Sequence, residues 1–384
     1  MSGVAAFRLG AEHREYQNWV REVATGKLAG TGSGRVDREL VRTLGELGLL
    51  RGLFGGRPGE APSDAAAVQL CLLRETIAQI STEAETALAL QGLGSYPILQ
   101  SGSAELRARW IPAVISGEAV AAFALTEAGA GSDAANLQLR AERDGDGWVL
   151  TGEKLWISNA PGADIYTVFA RTTPGAGARG VTAFAVPGDS AGLSGEPLEM
   201  LSPHPIGRLE FDGVRVGAGA VLGEVDRGFA VAMRTLDLFR PSVGAFAVGM
   251  AQAALDLTVA HVRERQVYGA PLAGQQAVAH RIADLATELE AARLLVYAAA
   301  AAYDDGAEPG AQPRRSAMAK LYATEAAQQI IDGCVQLHGA AALRRGHPLE
   351  HLYRDVRSLR IYEGASEVQR SIIARHLIGR EYTR

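Results

Sequence analysis

The sequence predicts an α+β fold in three zones: an N-terminal all-α domain over residues 1–120, a small antiparallel β domain over 121–224, and a C-terminal four-helix bundle over 225–384. Three observations carry this. Apolar residues recur at helical spacing early on, as Val68, Leu70, Leu73, Ile77 and Ile80 do between Ala65 and Leu90. Between about 121 and 222 the period shortens, and β-rich runs sit between Gly and Pro punctuation. Helical periodicity then returns in four long runs, roughly 228–262, 273–303, 313–338 and 366–378.

Each element has a local reason. In the first zone Pro97 to Ile115 continues as helical turns, and Gly55-Gly56 with Pro58-Gly59 makes one break. In the second, Leu137 to Glu142 alternates, Asp144-Gly145-Asp146-Gly147 turns, and Trp148-Val149-Leu150 resumes, which is a hairpin signal. Tyr166 to Ala170, Val181 to Val186 and Arg208 to Phe211 read as further short strands. In the third, the alanines at 298–302 suit close helix packing, and Gly306 and Pro309 mark an interhelix loop. No internal repeat is present. Helices and strands are segregated along the chain, which favours separate layers over a doubly wound sheet.

Composition narrows the function. A chain of 384 residues, 47% hydrophobic and 21% charged, has ample material for a core. The net charge of −5, with no basic tract, offers no electrostatic footprint for nucleic acid. Cys71 and Cys334 stand alone in apolar contexts, as in a reducing compartment without disulfides. Glu12, His13, Arg14 and Glu15 leave no apolar signal core, and no stretch reaches membrane-span length without a charge. A soluble, cytoplasmic protein is expected.

Two motifs invite readings that their context opposes. Gly129-Ala130-Gly131-Ser132-Asp133-Ala134 fits a dinucleotide fingerprint, but a hairpin follows it where a helix is needed. His347-Pro348-Leu349-Glu350-His351 fits a zinc pattern, but Arg344, Arg345 and Arg354 flank it and no third ligand is evident. Histidines at a helix start account for it better.

Glu363 is the strongest candidate for chemistry. It lies in Arg360-Ile361-Tyr362-Glu363-Gly364-Ala365-Ser366-Glu367-Val368-Gln369-Arg370, between an apolar-aromatic pair and a glycine. Gly364 allows a sharp bend, and Ser366 with Gln369 reads as a capping box. A poorly hydrated carboxylate there gains a raised pKa and can serve as a base. The plain alternative is an acidic residue favoured by a helix N-terminus.

Four further segments stand in order with it. Phe123-Ala124-Leu125-Thr126-Glu127-Ala128-Gly129-Ala130-Gly131-Ser132-Asp133 precedes the hairpin, and Gly152-Glu153-Lys154-Leu155-Trp156-Ile157-Ser158-Asn159 follows it. Arg265-Gln266-Val267-Tyr268-Gly269 through Gln275-Gln276 joins two helices, and Gln336-Leu337-His338-Gly339-Ala340 ends another. This order and wording resembles the acyl-CoA dehydrogenase flavoprotein family across essentially the whole chain. The resemblance implies that family's fold, with a barrel-like middle domain, and FAD as cofactor.

It also implies roles. Thr126, with Leu125, binds the polar edge of the flavin. Trp156, with Ile157, packs on the ring, and Ser158 lies near N5. Arg265, beside Tyr268, reaches the pyrophosphate of a neighbouring subunit's FAD. Gln276, Gln336, Gly339 and Ala340 take the adenosine half, and Ala365 and Glu367 join the cofactor set. Ser132, Asp237, Arg240, Tyr362, Gly364 and Arg375 serve the acyl-CoA substrate, and Glu363 is the catalytic base. The implied product is a trans-2-enoyl thioester, the implied electron acceptor an electron-transfer flavoprotein, and the implied assembly a homotetramer or homodimer. Residue chemistry allows plainer roles: a core Trp156, a helix-terminal charge at Arg265, and an i,i+3 surface ion pair between Asp237 and Arg240.

Some positions depart from the family pattern. Ala340 stands where a second glycine is common. Phe239 occupies the place before Arg240 where some relatives keep their acid. Leu201-Ser202-Pro203-His204-Pro205-Ile206-Gly207 lacks the usual basic, hydroxyl-bearing character, which leaves an acyl-carrier-protein or aminoacyl thioester open beside CoA. Tyr96 and Phe239 are candidates for shaping an acyl pocket, or for plain core. Other readings are a flavin oxidase, a flavin monooxygenase and a non-catalytic thioester-binding module on the same fold.

Overall fold

The computed structural model describes residues 9–28, 32–55, 60–306 and 311–379. The expected break at Gly56, Pro58 and Gly59 and the loop proline Pro309 lie outside the described residues. By its contacts the chain forms two compact units, one of residues 1–25, 66–82 and 237–384, the other of 26–65 and 83–236.

The first unit is helical. It holds α1 (Ala11–Ala24), α3 (Ala67–Ala78), most of α6 (Gly228–Glu264), α7 (Gln276–Asp304), α8 (Gln312–His338), α9 (Pro348–Val356) and α10 (Ser366–Ile378). The four long helical runs read from the sequence are α6, α7, α8 and α10. The periodic stretch from Ala65 divides, because α3 stops at Ala78 and α4 (Thr82–Ser101) begins after a short break. The short α9 was not foreseen beyond its histidine start.

Polar anchors tie α3 into this unit. Ala66 offers no side-chain cap, so Asp304 accepts from the N–H groups of Ala67 (2.6 Å) and Val68 (3.0 Å). Buried Glu75 accepts from Tyr297 Oη (2.6 Å) and Arg293 Nε (3.0 Å). Gly249 lets α6 approach closely, since a Cβ there would lie 2.4 Å from the Glu75 carbonyl oxygen. By length and composition α6 could cross a membrane. Its apolar run has a packing reason, because Val243, Phe246, Val248, Met250 and Ala251 are all buried.

The second unit holds α2 (Arg38–Glu46), most of α4, α5 (Ala104–Ser116) and an eight-stranded sheet. Its strands are β1 (Ala121–Ala124), β2 (Arg140–Asp144), β3 (Gly147–Ser158), β4 (Ile165–Arg171), β5 (Val181–Pro187), β6 (Leu193–Pro197), β7 (Ile206–Val216) and β8 (Val221–Leu222). The order is β6-β7-β3-β2-β4-β5-β8, with β1 beside β4. The predicted hairpin is β2–β3, and Gly145 takes a positive φ of 62° in its two-residue turn. The antiparallel expectation fails at two joins: β1 runs parallel to β4, and β2 meets β4 in parallel through Arg140 and Arg171. β1 is alanine-rich and β6 contains Gly and Pro, so neither shows the alternation that marks a strand.

Tyr96 belongs to the core of this unit. Its hydroxyl donates to the Leu53 carbonyl (3.0 Å) and accepts from Ala65 N–H (2.7 Å), and its ring stacks on Phe54. Tyr96→Phe is expected to leave both backbone groups unpaired and cost about 1–3 kcal/mol. Urea unfolding measures this as a lowered midpoint.

Candidate active site

Each unit carries part of the predicted set. In the second unit, Leu125 and Thr126 follow the end of β1 and are held to β3 by hydrogen bonds. Lys154, fully buried, donates from Nζ to the Leu125 carbonyl (2.9 Å) and to Glu127 Oε1 (2.7 Å). Glu127 also accepts from the N–H groups of Gln138 (2.5 Å) and Leu139 (2.9 Å), and Leu155 N–H donates to the Thr126 carbonyl (3.0 Å). Burial pushes the Lys154 ammonium down to about 8 against the pull of Glu127. This buried pair fixes the Thr126 segment, a role its residues did not announce.

Trp156 sits on a β-bulge. Lys154 pairs with Leu209 and Ile157 with Gly207, so Leu155 and Trp156 together face Arg208 alone. Trp156 has φ 61°, which is rare for a bulky residue, and its side is 50% exposed. A core role is therefore wrong for this ring: the backbone is bent to present it outward. Ile157 differs, because its side chain is buried and only its backbone is available. Ser158 Oγ lies 2.9 Å from His204 Nε2, so the unusual loop brings an imidazole onto the hydroxyl. Ser132 is exposed on the loop between β1 and β2.

In the first unit, Glu363 lies between α9 and α10 on a left-handed turn, φ 50°, followed by Gly364 at φ 96°. Its residue is half-buried, yet Oε2 is closed to solvent and has no hydrogen-bond partner among the described residues. Burial raises its pKa above the usual carboxylate value, opposed by the cations Arg74, Lys320 and Arg240. Arg74 and Lys320 were not read from the sequence, because they come from α3 and α8 at unrelated spacings.

Arg240 is buried and donates to Asp237 Oδ1 (3.1 Å) and to the Glu363 carbonyl (3.3 Å). The Asp237–Arg240 pair is therefore real but is not a surface pair. The capping box is also corrected. Ser366 donates to Glu325 Oε1 (2.7 Å), and Gln369 Nε2 donates to the carbonyls of Glu363 (3.2 Å) and Gly364 (2.9 Å). Ala365 occupies the N-cap with no side-chain bond, because the left-handed turn aims these carbonyls inward where Gln369 meets them. Tyr362 is half-buried, while Glu367 and Arg375 are exposed on α10.

The remaining predicted residues lie at or near the ends of helices in this unit. Arg265 is exposed just after α6 and precedes the small hairpin β9 (Gln266–Val267) and β10 (Ala270–Pro271). Tyr268 and Gly269 form its turn with φ 51° and 80°, and the Tyr268 ring is 99% exposed. Gln276 opens α7 and is exposed. Gln336, Gly339 and Ala340 are exposed at the end of α8, with Gly339 at φ 64° and open space where its Cβ would be.

The zinc-like pattern serves other bonds. His347 Nδ1 caps α9 by accepting from Leu349 N–H (3.1 Å), and His351 Nε2 lies 2.8 Å from Thr82 Oγ1 and 2.9 Å from Asp355. His338 stacks on His261 at 4.0 Å between centroids and meets His347 edge-on. Burial, with His261 and His347, pushes His338 down to about 4. The unfolded chain therefore takes this proton first, and stability should fall as pH drops from about 6.5 towards 4. Replacing His338 by Phe should flatten that part of a stability-versus-pH curve measured by urea.

In the second unit the bent-out indole of Trp156 and the hydroxyls of Thr126 and Ser158 suit a flavin. The comparisons agree. The N-terminal, middle and C-terminal domain models of acyl-CoA dehydrogenases match residues 10–118, 122–214 and 226–378. Cyclohexane-1-carbonyl-CoA dehydrogenase of Geobacter metallireducens is 36% identical over 380 residues, covering 97% of this chain and 99% of that protein. Butyryl-CoA dehydrogenase of Megasphaera elsdenii superposes with a TM-score of 0.90 at 30% identity, covering 97% of this chain and all of that one (100%). PigA, solved with FAD and proline, superposes with a TM-score of 0.91 at 27% identity, covering 98% and 100%. Three domain matches in order, near-complete coverage and the bent-out tryptophan lead to one conclusion: this chain is an enzyme of the acyl-CoA dehydrogenase family.

Proposed function

We propose that this enzyme dehydrogenates an acyl-CoA thioester between Cα and Cβ to a trans-2-enoyl thioester, with Glu363 as the base that takes the α proton. The observation that carries this is the Glu363 carboxylate, whose Oε2 is closed to solvent, without a hydrogen-bond partner among the described residues, and raised in pKa by burial. Such an oxygen is a better base than a hydrated carboxylate and pays no cost of losing a hydrogen bond when it accepts a proton.

The cofactor is FAD, which when bound supplies the acceptor for the β hydride at N5. Trp156 gives it an apolar wall, and Thr126 and Ser158 give it hydroxyls, with Leu125 and the Ile157 backbone beside them. Gln276, Gln336, Gly339 and Ala340 take the adenosine half, and Ala365 and Glu367 belong to the same cofactor set. Arg265 suits a pyrophosphate because its charge is permanent and its donors are forked. Its exposure beside the projecting Tyr268 supports donation to a second copy's cofactor, in a homodimer or homotetramer. Ser132, Asp237, Arg240, Tyr362, Gly364 and Arg375 serve the substrate, and the Glu363 N–H can bond the thioester carbonyl and stabilise enolate charge. Electrons would pass to an electron-transfer flavoprotein in the cytoplasm, where buried, free Cys71 and Cys334 are at home.

A second reading has its own support. The loop holding His204 departs from the family pattern, and PigA, whose structure carries proline, is a near structural neighbour. The departure of that loop keeps a carrier-bound acyl or aminoacyl thioester as the alternative substrate, and the proline in PigA fits the aminoacyl form. Anaerobic mixing of the FAD-loaded protein with a panel of acyl-CoA and carrier-bound thioesters decides between them. Bleaching of the flavin by an acyl-CoA supports the first reading, and bleaching by carrier-bound thioesters alone supports the second. No bleaching with any thioester contradicts both, and stoichiometric hydrogen peroxide in air would make the enzyme an oxidase.

A further inference from the structure

Lys320 is a buried cation with an unusual use. It lies in α8, fully buried, and among the described residues it makes no ion pair. Its Nζ instead donates to the Gly364 carbonyl at 2.8 Å. Taking an ammonium out of water is expensive, and one backbone carbonyl is a poor return for stability. The carbonyl in question belongs to the left-handed turn that carries Glu363, φ 50° and then 96°. A non-glycine residue holds that conformation only where its surroundings impose it. Here three buried side chains do so: Lys320 and Gln369 on the Gly364 carbonyl, and Gln369 and Arg240 on the Glu363 carbonyl.

We propose that Lys320 is a positioning residue for the reaction: its ammonium locks the Glu363–Gly364 turn and so fixes where the Glu363 carboxylate points. This rests on Glu363 being the base. A methionine would fill the same space at less cost in desolvation, so the charge is explained by the turn it holds.

The groups facing Lys320 set when the lock weakens. Glu363, Glu325 and Glu367 favour its charge, and burial and Arg240 oppose it, leaving its pKa at about 8. Arg74 and Arg240 also act on Glu363 itself. Loss of the Lys320 proton at alkaline pH removes the charge from the bond to Gly364, so turnover should decline above about pH 8.

The test uses full-length, FAD-loaded protein. Lys320→Met should lower kcat about 100-fold, the scale of a misplaced reacting group, with FAD content kept and KM changed little. Its alkaline limb near pH 8 should vanish. Lys320→Arg should regain most of kcat, with the limb moved upward. Wild-type kcat and an unchanged limb in Lys320→Met would overturn the proposal. If that variant does not fold, Lys320→Arg decides alone: a limb that stays near pH 8 overturns it, and a limb that moves supports it. Glu363→Gln run in parallel separates the two ideas. Its inactivity beside a fully active Lys320→Met would sink the positioning role and leave the base in place.

Discussion

Replacing Glu363 by Gln is expected to lower turnover by about 10^4-fold, the upper range for loss of a positioned general base, while the protein keeps its yellow flavin. The amide has the shape of the carboxylate but cannot take the proton. Folding should not suffer. Oε2 has no hydrogen bond to lose among the described residues, and removing a half-buried charge relieves desolvation. The pH dependence follows from the raised pKa. Activity of the wild type should fall with acid through a value above the ordinary carboxylate pKa, because the base must be ionised. Stability should run the other way: an acid with a raised folded pKa helps the fold below its unfolded pKa and loses that help as pH rises through the folded one. Glu363→Gln should remove both the acidic limb and this part of the stability profile, which kinetics and urea unfolding across pH would record.

Lys154→Met should destabilise the protein by about 3–5 kcal/mol, the largest stability loss anticipated here. The change leaves Glu127 as a buried carboxylate held, among the described residues, by the N–H groups of Gln138 and Leu139, and removes a donor from the Leu125 carbonyl. Adding Glu127→Gln should recover much of the loss, since a neutral amide tolerates the site. FAD retention should drop in the single variant, because the Thr126 segment hangs on this pair. Urea midpoints and flavin content of the two proteins check both effects, and a single variant as stable as the wild type would refute the role.

The parts legible in the sequence are those written in short-range pattern. The long helices α6, α7, α8 and α10 show themselves through period, and the β2–β3 hairpin through its Gly-containing turn. Glu363 is legible because its own neighbours, Tyr362 and Gly364, describe its setting. What surrounds it is not. Arg74, Arg240 and Lys320 come from three different helices and meet only in the fold. Gln369 was readable as a capping residue and is not one, since a left-handed turn at a non-glycine position cannot be foreseen from composition. Trp156 gives the same lesson: only the bulge opposite Arg208 turns it from core to surface. His204 stood out as a departure from a family pattern, but its bond to Ser158 needed coordinates.

The central claim is that the Glu363 carboxylate removes a proton from the carbon next to the thioester. Proton exchange reads this step without any oxidation. A thioester that has α hydrogens but no β hydrogen, incubated in D2O with the FAD-loaded enzyme and followed by NMR, should lose its α-proton signal with wild type and keep it with Glu363→Gln. Equal exchange by the two proteins, above the rate in buffer, would show that another group does the work.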